Sequence, residues 1–217
     1  MEFVLNEVEA RVLGSLIEKK HTTPDYYPLT LKSLTAACNQ KSSRNPIMQL
    51  DEKEVVRAID ELRNKNLVLR MEEAGGRVPK YKENIKPNLT LSKQETAIIC
   101  ILLLRHEQTV GELKTRSERI FKFQELEEVH SVLNDLMERE IVILLPRQIG
   151  QKEPRFMHLF CGNVETDNDN SEHLSPVEIA VKQENKSIEQ LENEIAELRK
   201  ELSNLKKDFY DFKGSFE

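Results

Sequence analysis

Leu5-Asn6-Glu7-Val8-Glu9 opens one apolar segment, and Leu91-Ser92-Lys93-Gln94-Glu95 opens another 86 residues later, so the same helix start is written twice. Asn6 and Ser92 are favourable N-cap residues, and Glu9 and Glu95 follow three positions on, where a capping box places its acid. The downstream halves match too. Glu54-Val55-(x)3-Ile59-(x)2-Leu62-(x)4-Leu67-Val68 recurs as Glu128-Val129-(x)3-Leu133-(x)2-Leu136-(x)4-Ile141-Val142, offset by 74, so the first copy carries 12 more residues between its halves. Each copy reads as three helices and a β-hairpin, the pattern of a helix-turn-helix elaborated by a wing. The expected fold class is mainly α with small β-hairpins (α+β). It comprises two tandem winged-helix domains (1–86 and 87–162), an acidic linker (163–174) and a C-terminal coiled-coil helix (175–217).

In the first helix Leu5, Val8, Val12, Leu13, Leu16 and Ile17 form one stripe at helical spacing. Its counterpart is apolar without a break from Ala97 to Leu104, so it is expected to be buried on more than one side, against the other domain or a second subunit. His21 to Pro28, with two prolines, reads as a rigid loop and Thr30 to Asn39 as a short helix. Asp51 with Glu54 caps the third helix, whose core face is Val55, Ala58, Ile59 and Leu62. Leu67 to Arg70, a Gly75-Gly76 turn and Arg77 to Lys82 make the first hairpin. Ile141 to Leu145, a turn near Gly150 and Arg155 to Phe160 make the second.

The chain has 217 residues, 38% apolar and 32% charged, enough for two small cores and a polar extension but not for a large single-core enzyme. Its net charge of −6 is unevenly divided: residues 1–86 hold 15 Lys/Arg against 13 Asp/Glu, residues 87–162 hold 10 against 11, and residues 163–217 hold 7 against 14. No segment has the length of a membrane span and the N-terminus lacks signal-peptide features, so a cytoplasmic protein that does not enter a membrane is expected. Cys38, Cys100 and Cys161 form no CxxC pair, and His21, His106, His130, His158 and His173 are scattered singly. No disulfide, metal site, cofactor or catalytic residue is therefore expected. His158, inside a strand, reads as a packed imidazole.

Affinity in helix-turn-helix proteins comes largely from neutralised phosphates. The expected nucleic-acid contacts are Lys41, Ser42, Ser43, Arg44 and Asn45 before the third helix, Lys53 and Arg57 on it, diluted there by Glu52, Asp60 and Glu61, and Arg77, Lys80, Tyr81 and Lys82 on the wing. The alternative reading of these segments is a solvated loop and an ordinary basic hairpin. Lys114, Arg116, Arg119 and Lys122 form a weaker cluster. The third helix of the second copy sets Glu125, Glu127, Glu128, Asp135, Glu138 and Glu140 against Arg139, a face that duplex phosphates repel.

In the tail, Ser175-Pro176 with Glu178 is a helix start. Ile188, Leu191, Ile195, Leu198, Leu202, Leu205, Phe209 and Phe212 then alternate spacings of three and four as a heptad seam. Isoleucine at a and leucine at d favour a parallel homodimer, and the g-to-e pairs Glu194/Arg199, Glu201/Lys206 and Asp208/Lys213 are all attractive. The alternative is one long helix folding back on its own domains.

Thr22-Thr23-Pro24 with Tyr27-Pro28-Leu29, the run Ala37-Cys38-Asn39-Gln40-Lys41-Ser42-Ser43-Arg44-Asn45-Pro46, Gly111-Glu112-Leu113 and Phe156-Met157-His158-Leu159-Phe160 closely resemble the bacterial YceH family along the whole chain. The resemblance implies a tandem winged-helix fold of unsettled biological role and transfers no catalytic residue. Duplex DNA is the expected partner, bound through the first domain. The rival expectation is a non-enzymatic adaptor that, like the tandem winged helices of ScpB-type chromosome-segregation subunits, meets other proteins through its acidic third helices and tail.

Overall fold

Five of the six described α-helices start where a side chain accepts from an orphan N–H group, at Asn6, Thr30, Asp51, Ser92 and Thr109. The computed structural model describes residues 3–72, 78–86, 89–147 and 153–162. The expectations for Gly75-Gly76, Arg77, the turn near Gly150, the linker 163–174 and the helix 175–217, with its seam from Ile188 to Phe212, lie outside the described residues. Helix α1 (Glu7–Thr22) and helix α4 (Lys93–Arg105) each begin with a complete capping box, Asn6/Glu9 and Ser92/Glu95. Helices α2 (Leu31–Cys38) and α3 (Glu52–Asn64) complete the first repeat, with Asp51/Glu54 capping α3. Helices α5 (Val110–Ser117) and α6 (Leu126–Glu138) complete the second.

Strand β1 (Leu29–Thr30), strand β2 (Val68–Met71) and strand β3 (Lys80–Glu83) form an antiparallel sheet in the order β1-β3-β2. Strand β4 (Val142–Leu145) and strand β5 (Arg155–His158) form the second hairpin. Of the segment His21 to Pro28, expected as a loop, the first two residues instead end α1; the rest carries a single 3-10 turn over Pro24–Tyr26 and leads into β1, a strand of two residues and so too short to show by periodicity. In the second repeat β1 shrinks to one bridge, with Gln108 and Phe156 exchanging N–H···O bonds of 3.0 and 2.8 Å.

Three further details repeat. Lys65 binds Glu9 at 2.6 Å and the Val4 carbonyl, as Arg139 binds Glu95 and the Thr90 carbonyl; in each case the cation closing the third helix clasps the capping-box acid of the first. Asn66 and Glu140, the next residues, both take left-handed backbone, with φ of 56° and 53°. Helix α2 begins at Leu31 and α5 at Val110, 79 positions later, so seven of the twelve extra residues of the first repeat precede α2 and five follow it.

Residues 1–165 make one compact unit whose core runs through both repeats. Val55, Ala58, Ile59 and Leu62 are the buried positions of α3, as their spacing predicts. Every residue of α4 from Ala97 to Leu104 is buried, because α1 covers one side while α5, α6 and β5 cover others. Gly14 permits the α1–α4 approach: a Cβ there would lie 3.0 Å from Leu103 Cβ and from two Leu104 side-chain carbons. The residues before α1 close the unit, with Leu5 N–H bonded to the Phe160 carbonyl at 2.7 Å and the Phe3 ring stacked on Phe160.

Candidate functional site

Burial separates the expected phosphate contacts of the first repeat into two kinds. Lys41, Ser42, Asn45, Lys53 and Arg57 are exposed, while Ser43 is half-buried. Lys53 and Arg57, four residues apart, share one face of α3. Lys41, Lys53 and Arg57 have no ion-pair partner among the described residues.

Arg44 corrects the expectation. Its side chain is fully buried, with Nη1 and Nη2 bound to the two carboxylate oxygens of Glu18 at 3.1 and 2.6 Å, and with Nε and Nη2 donating to the Ala37 carbonyl. A planar fork that meets a buried carboxylate on α1 points away from solvent and cannot meet a duplex phosphate. Arg11, equally buried, donates to the Cys38 carbonyl at 3.3 Å and the Pro46 carbonyl at 2.7 Å, the two ends of the same segment. Burial, then the neighbouring Arg44, holds the Arg11 guanidinium below its ordinary pKa. Asn39 exchanges bonds of 2.7 and 2.8 Å with the Leu50 backbone, and Asn45 N–H reaches the Leu104 carbonyl at 3.0 Å. The segment 38–46 is thus wired to α1 and α4 from inside, leaving Lys41 and Ser42 outermost.

Tyr81 is the second correction. It lies in the core opposite Leu29 and Arg70, because side chains alternate along β3 and its neighbours Lys80 and Lys82 take the other face. The repeat contained the warning: the residue that pairs with Gln108 in the second copy, as Tyr81 pairs with Leu29, is Phe156, also buried. Lys80 and Lys82 stand directly across from Met71 and Leu69, both more than one third exposed, so the outer face of the first hairpin mixes cations with aliphatic side chains.

Helix α3 also exposes Glu52, Glu54, Asp60 and Glu61 around its cations, and the second repeat is more uniformly acidic, with Glu127 and Ser131 at the positions equivalent to Lys53 and Arg57. Glu127, Asp135, Glu138 and Glu140 are exposed on or beside α6, and Arg139 is committed to Glu95. Within the weaker cluster Lys114 donates to the Gln124 carbonyl and Arg116 pairs with Glu112 at 3.0 Å, while Arg119 and Lys122 are exposed. Arg155 also reaches Glu112, at 3.2 Å.

No group of three or more His, Cys, Asp or Glu among the described residues is arranged to hold a metal ion. His158 is buried beside Phe160 with its Nδ1 unpartnered, and burial, then the nearby His106, pushes its pKa down to about 4. Burial pushes the Cys38 thiol up to about 11 and raises Cys100 as well. Among the described residues no helix is long and apolar enough to cross a membrane.

Residues 5–151 match the family model described as "Protein of unknown function, DUF480". The chain is 52% identical to a UPF0502 protein of Geotalea daltonii over 219 residues and 50% identical to one of Geobacter sulfurreducens over 222, with the full length of each chain covered. A UPF0502 protein of Koribacter versatilis is 52% identical over 160 residues, 73% of this chain and 74% of its own. With all six helices within the matched region and relatives alike from end to end, the chain belongs to the DUF480 family, whose members here carry the UPF0502 name.

Proposed function

We propose that this protein is a non-enzymatic, cytoplasmic, tandem winged-helix protein that binds nucleic acid, duplex DNA first, through its first repeat. One observation carries the reading. Lys53 and Arg57 stand exposed on one face of α3 with no ion-pair partner among the described residues, while the equivalent positions of α6 hold Glu127 and Ser131. Lys41 and Ser42 before the helix, and Lys80 and Lys82 on the hairpin, extend the contact, with Leu69 and Met71 as aliphatic flanks. These are residue types that position a protein on phosphates, and the modest charge predicts weak contacts that gain by duplication. The heptad positions Ile188 to Phe212 are proposed to supply that duplication as a parallel coiled coil.

Anisotropy with sheared genomic DNA at about 50 and 200 mM salt tests the reading, because phosphate-driven binding weakens steeply over that interval. Lys53→Glu/Arg57→Glu is expected to abolish binding with folding intact; unchanged affinity removes α3 from the interface. Deleting residues 175–217 is expected to give monomers by light scattering. The acidic exposed face of α6 favours a second reading, an adaptor that docks basic protein partners there, and this becomes the leading one if no duplex binds at the lower salt.

A further inference from the structure

The sheet of the first repeat has an open edge. Its strands run in the order β1-β3-β2, so β2 has a neighbour on one side only. Two bonds tell which of its backbone groups are left over. Asn84 N–H donates to the Leu67 carbonyl at 2.7 Å, while Glu83 N–H turns the other way, to Tyr27 Oη, also at 2.7 Å. Opposite residues of an antiparallel ladder alternate between bonded and non-bonded pairs. Leu67, Leu69 and Met71 therefore bond toward the β3 side, and Val68 and Arg70, across from Glu83 and Tyr81, direct their N–H and C=O groups to the open edge. Neither makes a backbone bond outside the ladder among the described residues.

That edge borders a cleft of about 420 Å³, lined by Val68, Leu69 and Arg70 of β2 and by Asp60, Arg63 and Asn64 of α3. Buried Val68 closes its inner end, and the lining sets two guanidinium groups against one carboxylate. Arg63 pairs with Asp60 at 3.1 Å, and Arg70 with Glu72 at 2.8 Å. All four of these side chains are exposed, so both pairs are weak and an arriving carboxylate can take the place of either acid. Met137 and Leu144 stand 74 positions after Arg63 and Arg70, so the cationic lining is a feature of the first repeat.

We propose that this cleft takes an extended acidic segment of a partner protein, which adds to β2 as a further strand. Its backbone pairs with the outward N–H and C=O of Arg70, its carboxylates meet Arg63 and Arg70, and Leu69 supplies an aliphatic contact. A strand edge offers donors and acceptors in alternation. A polypeptide backbone answers both, whereas a phosphodiester backbone brings acceptors only, so the edge selects protein over nucleic acid. The cleft does not rest on the duplex reading, whose carrying residues, Lys53 and Arg57, are not among those that line it.

The test titrates the full chain into a fluorescent peptide that alternates glutamate with valine, read by anisotropy at about 50 mM salt. Three other probes are compared: the same peptide with lysine for glutamate, the acidic peptide N-methylated at alternate amides, which keeps its charge but cannot pair as a strand, and a short duplex. The acidic peptide is expected to saturate below about 1 mM, and the lysine and N-methylated forms to bind at least roughly tenfold more weakly. Arg63→Met/Arg70→Leu, which copies the second repeat, is expected to lose roughly tenfold to a hundredfold for the acidic peptide. Arg70→Pro removes an N–H that β3 does not use, so it should leave the circular dichroism spectrum unchanged and still abolish peptide binding. No saturation by the acidic peptide, equal binding of its N-methylated form, or unchanged affinity in Arg63→Met/Arg70→Leu overturns the proposal. Loss of the duplex alone in that variant gives the cleft to nucleic acid and overturns it too. Lys53→Glu/Arg57→Glu keeps the two readings apart, since that change should leave the peptide bound while it removes the duplex.

Discussion

Replacing Arg44 by alanine asks whether the segment 38–46 is an internal clasp or a contact surface. The side chain is fully buried against Glu18, itself 7% exposed, and supplies two of the donors on the Ala37 carbonyl. Removing Arg44 leaves the desolvated Glu18 carboxylate with only the longer contact to Lys19, at 3.7 Å, and breaking a buried pair in this way costs about 3–5 kcal/mol. Total stabilities are about 5–15 kcal/mol, and each kcal/mol moves the midpoint of a chain this size by roughly 2–4 °C. Arg44→Ala should therefore lower Tm by roughly 10 °C or more and shift the urea midpoint with it, whereas an exposed contact residue changed in the same way should cost under about 0.5 kcal/mol. Arg44→Lys should recover only part, because an ammonium cannot meet both Glu18 oxygens and the carbonyl together. Arg44→Met with Glu18→Leu should recover most of the loss, since replacing both charges removes the stranded one. Urea unfolding followed by far-UV circular dichroism at neutral pH reads all four proteins. A loss below about 1 kcal/mol in Arg44→Ala, or a double variant no better than the single, would refute the clasp.

Gly14→Ala should be destabilising by about 1–2 kcal/mol in the same assay, because a Cβ 3.0 Å from Leu103 and Leu104 forces α1 and α4 apart at a cost exceeding the helix-propensity gain of about 1 kcal/mol; a more stable variant would show that the crossing has slack. His158 has a folded pKa of about 4 against an ordinary value near 6.5, so the unfolded chain takes up the proton first. Its contribution, on the order of 3 kcal/mol, is intact above about pH 6.5 and lost as pH falls toward 4. His158→Leu should flatten the decline between pH 6.5 and 5, and parallel pH profiles for the two proteins would exclude that account. Disulfide-exchange reagents at pH 8 should leave Cys38 and Cys100 untouched in the folded chain and modify them only on unfolding, with rapid native labelling of both counting against the core described.

Most of the fold was legible because its signals are local. The capping boxes at Asn6, Asp51 and Ser92, the stripe Val55-Ala58-Ile59-Leu62 and the unbroken run Ala97–Leu104 each act within a few residues, and each forms the element that its spacing implies. The candidate site was less legible because a charged side chain does not announce which way it faces. Arg44 stands among Lys41, Ser42 and Asn45 in the sequence, but a carboxylate 26 positions earlier on α1 draws it inward. Tyr81, between two lysines, reads as a wing aromatic until the sheet places it opposite Leu29.

The two repeats together indicate where function should be sought. What they share makes the module: the capping acid, the cation that clasps it, the left-handed residue after the third helix, and the bridge between the residue before the N-cap of the second helix and the second hairpin strand. None of these requires a ligand to explain it. What they do not share is concentrated in two places. The twelve extra residues flank α2, where they build β1 and the clasped segment 38–46, and Lys53 and Arg57 of the third helix give way to Glu127 and Ser131. These differences are more than one module needs, since the second repeat forms its helices and hairpin without them. The first repeat's additions run from the exposed Lys41 and Ser42, through the buried Arg44, to Asn45, whose N–H reaches the Leu104 carbonyl, so they seat the proposed duplex face on a helix of the second repeat.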